Sequence, residues 1–70
     1  MNLYPVKSST IEAIGHDGVD KMAVQFRNGT IYEYSGISKN LYDTIINAES
    51  VGKRFASLKT TGALNNFVQL

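Results

Sequence analysis

The sequence predicts an α+β domain with a three-stranded antiparallel β-meander, followed by two short helices packed on one face of the sheet. Three observations lead to this prediction. Apolar and polar residues alternate on both sides of Asn28-Gly29, a dipeptide typical of tight hairpin turns. Apolar residues then recur at helical spacing after Ser38 and after Ser50. Finally, the tail 63–70 keeps large apolar side chains, so we expect it to dock on its own or a neighbouring subunit.

Length and composition limit the chemistry available to the chain. Its 70 residues suffice for one domain, spanning 1–70, and a chain of this size buries only about 60% of its unfolded surface. The absence of cysteine excludes disulfides and thiolate metal sites, and His16 is the single histidine. We therefore expect no metal site and no cofactor.

Charge and hydropathy exclude further classes of protein. A net charge of +1 leaves no basic excess of the kind that non-specific nucleic-acid binders use to neutralise phosphates. The N-terminal residues 1–6 lack the charged and apolar regions of a signal peptide. No window approaches the 18 consecutive apolar residues of a membrane span. A cytoplasmic location without membrane contact is expected.

The first predicted strand covers 10–16. Its alternation is imperfect, because Ile11 and Ala13 would lie on one face and Ile14 on the other. A β-bulge near Ala13 or Gly15 would bring the two isoleucines to the same face. The turn-forming residues 17–20 end this strand.

The hairpin consists of strands 21–27 and 30–35 around Asn28-Gly29. A two-residue loop would pair Phe26 with Ile31 and Gln25 with Tyr32, which assigns each side chain to a face. The predicted core face carries Met22, Val24, Phe26 and Ile31. The predicted second face carries Ala23, Gln25, Arg27, Thr30, Tyr32 and Tyr34.

Serine caps predict both helix starts. Ser38 precedes a helix that ends near Ala48, with an apolar stripe at Leu41, Tyr42, Ile45 and Ile46. Ser50 precedes a second helix, with Val51, Phe55 and Leu58 on one side and Gly62 at its C′ position. Helices this short are not stable alone in water, so both must pack on the core face.

The motifs resemble the KTSC domain, a family whose hallmark is a Tyr-x-Tyr motif. The resemblance covers residues 6–60 and rests on four stretches: Ser8-Ser9 with Ile11-x-x-Ile14-Gly15-x-Asp17, Phe26-Arg27-Asn28-Gly29 leading into Tyr32-Glu33-Tyr34, Gly36-Ile37 with Leu41-Tyr42, and Ser50-x-Gly52-x-x-Phe55. The family is named for an appendage of some lysyl-tRNA synthetases and also occurs as small bacterial and phage proteins. The resemblance implies a stand-alone member, of the kind that phages encode.

Two departures bear on the RNA binding suggested for such domains. Ala56 stands where the family usually has Asn, and residues 60–70 replace a basic, tyrosine-bearing end. The missing basic end favours a small ligand over a long RNA.

Tyr32 and Tyr34 form the first candidate site. Their rings could stack on a base, with Gln25 and Arg27 beside them to bind polar groups or a phosphate. The alternative is structural, with both rings bracing the sheet or buried in a subunit contact.

Ser50, Gly52, Lys53 and Arg54 form the second candidate site. Free amides at a helix start attract anions, and the two cations strengthen that attraction. The alternative is that Lys53 and Arg54 are simply solvated and that Gly52 lets the helix approach the sheet closely.

No catalytic group is expected. His16 and Asp17 are neighbours that would point to opposite faces of a strand, without a nucleophile beside them. We therefore expect a non-enzymatic binding module for a nucleotide-like ligand or an RNA element, for example a phage anti-defence protein that sequesters a signalling nucleotide. The alternative is a protein-interaction module that self-associates or inhibits a host protein. In either case a homo-oligomer is expected.

Overall fold

Five β-strands and two helices follow one another along residues 1–70, all of which the computed structural model describes. The elements are β1 (Tyr4–Pro5), β2 (Ile11–His16), β3 (Met22–Phe26), β4 (Ile31–Tyr34), α1 (Lys39–Ile46), α2 (Val51–Thr60) and β5 (Phe67–Gln69). The strands form one antiparallel sheet in the order β1-β2-β3-β4-β5. The predicted α+β class is confirmed, but the sheet has five strands instead of three. The two additional strands, β1 and β5, are too short to show an alternating pattern in the sequence.

The predicted bulge in β2 is confirmed. The register between β2 and β3 shifts between Ile11 and Ala13, so that Ile11 lies opposite Phe26 and Ile14 lies opposite Val24. The shift places both isoleucines on the core side, where both are fully buried.

The hairpin lies where it was predicted, but its register is wrong by one residue. The Gly29 amide donates to the Phe26 carbonyl (2.9 Å), and the Phe26 amide donates to the Thr30 carbonyl (2.8 Å). Gly29 has a φ of 91°, whereas Asn28 has a negative φ and accepts from the Thr30 amide through its side chain (3.0 Å). These contacts define a three-residue loop, a type I turn followed by a left-handed glycine, instead of the two-residue loop.

This shift exchanges the faces of β4, because side chains alternate along a strand. Tyr34 lies opposite Met22, and Tyr32 lies opposite Val24, so both tyrosines share the core face with these residues. Ile31, which was predicted in the core row, lies opposite Gln25 on the outer face. The predicted grouping of both tyrosines with Gln25 is therefore wrong.

Both helices begin at their predicted caps and cover the core face. The Ser38 hydroxyl accepts from the Leu41 amide (3.1 Å), and the Ser50 hydroxyl accepts from the Lys53 amide (3.3 Å). The first helix ends at Ile46, slightly before the predicted end near Ala48, whereas Gly62 follows α2 with the expected positive φ of 83°. The buried core comprises Ile11, Ile14, Met22, Val24, Tyr34, Ile37, Tyr42, Ile45, Val51, Phe55 and Leu64.

The C-terminal tail docks on its own domain. Leu64 is buried in the core, and β5 then pairs antiparallel with β4. The Ser35 amide donates to the Asn66 carbonyl, and the Leu70 amide donates to the Ile31 carbonyl, both at 2.8 Å. Of the two expected docking places, the chain's own sheet is the one observed.

The N-terminal segment crosses the outer face of the sheet. Gly15 lies opposite Ala23, and a Cβ at Gly15 would collide with the Asn2 carbonyl oxygen. Glycine is needed here because the two backbones approach so closely. Neither helix has the length and apolar character that crossing a membrane requires.

Candidate functional site

A polar cleft of about 460 Å³ separates the loop before β2 from the start of α2. It is lined by Lys7, Ser8, Ser9, Thr10, Glu49, Ser50, Gly52, Lys53 and Ala56. The cleft contains three of the four residues predicted for the second candidate site. It also contains four residues, 7–10, that the sequence analysis did not assign to any site.

The start of α2 presents open hydrogen-bond donors. The Ser50 hydroxyl caps the Lys53 amide, and the Arg54 amide donates to the Ser50 carbonyl (3.0 Å). The amides of Val51 and Gly52 meet no acceptor in the protein. These two donors lie at the positive end of the helix dipole, which favours a negatively charged group.

Gly52 brings the helix start against Ser8, Ser9 and Thr10, which form the loop before β2 (the hydroxyl loop). A Cβ at this position would lie 2.9 Å from the Ser8 hydroxyl oxygen and 3.2 Å from that of Thr10. Any larger residue would push these side chains away. Gly52 therefore permits close packing, but against the loop before β2 and not against the sheet as expected. This packing places two hydroxyl groups beside the helix start.

The hydroxyl loop is held in a defined conformation. The Ser8 hydroxyl accepts from the amides of Thr10 (3.2 Å) and Ile11 (3.1 Å). Arg27, in the turn directly after β3, supports the loop, because its Nε donates to the Ser8 carbonyl (2.8 Å) and its backbone amide donates to the Thr10 carbonyl (3.0 Å). The guanidinium also lies 4.0 Å from the Glu12 carboxylate. Arg27 thus contributes to this site through the loop, and the predicted grouping of Arg27 with the tyrosines is not observed.

The cleft has an excess of positive charge. Lys7 and Lys53 line it together with one carboxylate, Glu49, and neither lysine has a carboxylate within 4.0 Å. Cations in the first turn of a helix oppose its dipole. An anion in the cleft would relieve that repulsion and would meet the residue with an open amide, Gly52, together with hydroxyl and ammonium groups.

Arg54 lies apart from this cleft. It lines a shallower depression of about 280 Å³ together with Ser50, Lys53 and Ser57. Lys53 borders both spaces. The predicted cation pair therefore divides between two sides of the helix start, and only Lys53 faces the hydroxyl loop.

The two tyrosines belong to a cluster of five rings that joins the sheet to α2 and β5. Tyr34 is only 4% exposed, and its ring centroid lies 5.6 Å from that of Phe55 and 5.7 Å from that of Phe67. Tyr32 is half-buried and packs edge-on against Phe26 (5.7 Å) and Phe67 (5.6 Å). Burial raises the pKa of the Tyr34 hydroxyl above its usual 10.0, and Tyr32 adds to this effect. Tyr34 offers no open ring face, so the arrangement matches the bracing alternative.

His16 and Asp17 have structural contacts. The His16 Nε2 donates to the Ile37 carbonyl (2.6 Å), while its Nδ1 accepts from the Gly18 amide (2.9 Å), which identifies the neutral tautomer. Asp17 Oδ1 accepts from the amides of Val19, Asp20 and Lys21, and these bonds, that of Lys21 first, lower the pKa of the carboxyl below 3.8. Each side chain is occupied in holding the turn 17–20.

Comparison with known proteins places this architecture in a family. The model of the KTSC domain matches residues 7–58, which include the whole of the hydroxyl loop, the hairpin, α1 and most of α2. The chain belongs to the KTSC domain family. The resemblance inferred from the motifs is thereby confirmed at the level of the family.

A crystal structure of a KTSC domain protein from Yersinia pestis is similar to this chain over its full fold. Its TM-score is 0.80 at 27% identity, covering 99% of this chain and 93% of the other. A protein from Tsukamurella paurometabola is 36% identical over 52 residues, covering 73% of this chain and 78% of its own. The polar cleft lies inside the part of the chain that matches the family model, whereas β5 lies outside it.

The residues that sequence reasoning missed had a recognisable signal. Three successive hydroxyl side chains, Ser8, Ser9 and Thr10, have no place in either site predicted from the sequence. The sequence shows this run, and it also shows a helix-start glycine at Gly52. Their proximity depends on the packing of α2 against the loop, which no local pattern reports.

Proposed function

We propose that this KTSC domain is a non-enzymatic binding module that captures a nucleotide-like ligand by its phosphate group, in the cleft between residues 7–10 and the start of α2. The observation that supports the proposal is that Gly52 with its open amide, three hydroxyl residues before β2 and two unpaired lysines line one cavity. Backbone amides at a helix start, together with lysine, form a common phosphate-binding arrangement.

The size and charge of the molecule favour a small ligand over RNA. The cleft volume of about 460 Å³ falls within the range of small-molecule sites. A polymer would instead require a basic stripe along which several phosphates are neutralised, and the net charge of +1 provides none. A mononucleotide or dinucleotide is therefore the ligand class that we propose.

In this function the Tyr-x-Tyr motif positions the start of α2 and does not itself contact the ligand. Tyr34 packs on Phe55, which lies on α2 soon after Lys53. The ring cluster thereby fixes the position of the helix relative to the sheet and of its first turn relative to the hydroxyl loop. Gln25 lies on the outer face of the sheet and has no part in the cleft.

A domain with these features would hold its ligand without converting it. The cleft contains no histidine beside a nucleophile and no pair of enclosed carboxylates, so it lacks the usual groups for acid–base or covalent catalysis. Sequestration of a cytoplasmic signalling nucleotide, by a phage-encoded or bacterial protein, is a role that such a module would serve.

Thermal melting and calorimetry with a matched panel test the proposal. The panel is ADP, ADP-ribose, a cyclic dinucleotide and a short oligo-RNA, with adenosine as the control that lacks a phosphate. We expect at least one phosphorylated small molecule to raise the melting temperature and adenosine to have no effect. No shift with any phosphorylated compound would refute the proposal, and a shift with the oligo-RNA alone would favour RNA recognition instead.

Two lysine variants locate the site. Lys53→Gln removes a charge that borders the cleft, whereas Lys59→Gln removes one from the last turn of the same helix. We expect Lys53→Gln to weaken binding by about tenfold to a hundredfold, since a hydrogen bond to a charged group contributes about 1.5–3 kcal/mol. Equal effects of the two substitutions would show that binding depends on overall charge and would exclude this cleft.

A further inference from the structure

The outer edge of β5 leaves its hydrogen-bonding groups open. The Asn66 carbonyl accepts from Ser35, directly after β4, and the Leu70 amide donates to Ile31 in β4. Because antiparallel pairing alternates along a strand, Val68 also faces β4. The amides and carbonyls of Phe67 and Gln69 consequently point away from the sheet. An edge of this kind is a template for another strand.

The side chains of this edge do not discourage pairing. Phe67 is 54% exposed, Val68 is 57% exposed and Leu70 is 69% exposed. The strand carries no charge, no proline and no bulge, so its length of three residues is the one protecting feature of this edge. The opposite edge, β1, spans only two residues and includes Pro5.

We propose that a second copy of this chain pairs with β5 in antiparallel orientation, about a two-fold axis at Val68. In this register Phe67 lies opposite Gln69 of the other copy, and each such pair exchanges two hydrogen bonds, one from each amide. The two Val68 side chains meet on the outer face as a close, non-hydrogen-bonded pair. The two sheets would then continue as one sheet of twice the width.

A second copy of the chain is the proposed partner of β5 because the strand is complementary to itself. The axis at Val68 satisfies every open amide and carbonyl of both strands, which a shift of the axis to Phe67 would not do. A symmetric interface of this kind needs only one surface. The low net charge of +1 adds little repulsion between the copies.

The surface area buried between the two copies determines how strongly they are expected to associate. The exposed parts of the three apolar side chains amount to about 300 Å² per copy, or about 600 Å² in total, roughly half of what a stable interface buries. The dimer should therefore be weak and should depend strongly on concentration. Its edge is separate from the polar cleft, so ligand binding and dimerisation can fail independently.

A cysteine at the axis tests the geometry directly. The chain contains no cysteine, so Val68→Cys introduces a single thiol. In a non-hydrogen-bonded antiparallel pair the Cα atoms are about 4.5 Å apart, within the range that a disulfide spans. We expect Val68→Cys to form an oxidised dimer at least about tenfold faster than Val19→Cys, whose position is 76% exposed in a loop. Equal rates would overturn the proposal.

Sedimentation across a concentration series provides the second test. The mean mass of the unmodified chain should rise above 7.7 kDa with concentration. Val68→Lys places two like charges opposite one another, and Gln69→Pro removes an outward amide, so both variants should stay monomeric. Val19→Lys is the matched charge control and should associate like the unmodified chain.

Each outcome of this series is decisive. An unmodified chain that stays monomeric at every concentration overturns the proposal, as does a dimer that persists in both edge variants, because the interface would then lie elsewhere. Circular dichroism of each variant shows whether it folds. The Val68→Cys comparison does not depend on destabilising the interface, so it decides the question if an edge variant fails to fold.

Discussion

Replacing Tyr34 with alanine distinguishes the two registers that the hairpin could adopt. In the structure this ring is 4% exposed and contacts the rings of Tyr32, Phe55 and Phe67 at centroid distances of 5.6–6.4 Å. Truncation of a buried aromatic residue costs about 3–5 kcal/mol. In the two-residue-loop register, Tyr34 would lie on the face away from the helices, and its loss would cost little.

The expected loss is large relative to the whole domain. A chain of 70 residues has a free energy of unfolding of roughly 4–10 kcal/mol at 0.05–0.15 kcal/mol per residue. Tyr34→Ala should therefore leave a marginally folded or unfolded domain. Tyr34→Phe should lose less than about 1 kcal/mol, because the hydroxyl makes no hydrogen bond within the protein and its oxygen is not sealed from solvent.

Urea unfolding followed by circular dichroism measures these differences. Tyr4→Ala is the matched control, since Tyr4 is 59% exposed and should lose much less. Ile31→Ala provides the reciprocal test, because Ile31 lies on the outer face and is only half-buried. If Ile31→Ala destabilised the domain more than Tyr34→Ala, the observed register and the proposed role of the ring cluster would both be refuted.

Three further predictions concern the turn residues and the cleft. Gly29→Ala should lower the free energy of unfolding by about 1 kcal/mol or more, because the backbone φ at this position is 91°. Gly29→Asn should lower it by less, since asparagine tolerates this conformation. Thermal melting of the two variants measures the difference. Hydrogen bonds lower the pKa of Asp17 in the folded chain below its unfolded value near 3.8. The ionised carboxylate therefore stabilises the fold fully at pH values above the unfolded pKa, and this stabilisation is lost as the pH falls through the lower pKa of the folded chain. Urea unfolding from pH 6 to pH 2 should show that loss in the unmodified chain and a smaller one in Asp17→Asn, and identical pH profiles would contradict the assignment. Gly52→Ala should displace the Ser8 hydroxyl and weaken binding of any ligand found in the melting panel. Ser57→Ala, at an exposed position of the same helix outside the cleft, is the control for raised helix propensity. Unchanged affinity in Gly52→Ala would exclude the cleft.

Short-range patterns predicted the features that depend on short-range contacts. The serine caps at Ser38 and Ser50 each bind an amide three residues later, and the sequence identified both. The bulge in β2 followed from the alternation of Ile11, Ala13 and Ile14 within four residues. Gly62 after the second helix is likewise a local requirement, since it takes a positive φ.

The register of the hairpin could not be settled from its own residues. Asn28-Gly29 suits a two-residue loop and equally suits a three-residue loop with glycine in the left-handed conformation. The longer loop is the one that brings Tyr32 and Tyr34 to the rings of Phe55 and Phe67, which lie more than twenty residues later in the chain. Burial of this cluster is a tertiary effect that outweighs the small difference between turn types.

The sequence by itself determined the α+β class, the helix starts, the bulge and the family, because each rests on contacts within a few residues or on an ordered set of motifs. The tertiary structure alone decided which face the tyrosines occupy, that β5 pairs with β4, and that the hydroxyl run 8–10 meets the start of α2. The physical reason is common to all three. Each depends on packing between segments far apart in the chain, and the free energy of that packing has no signature in either segment alone.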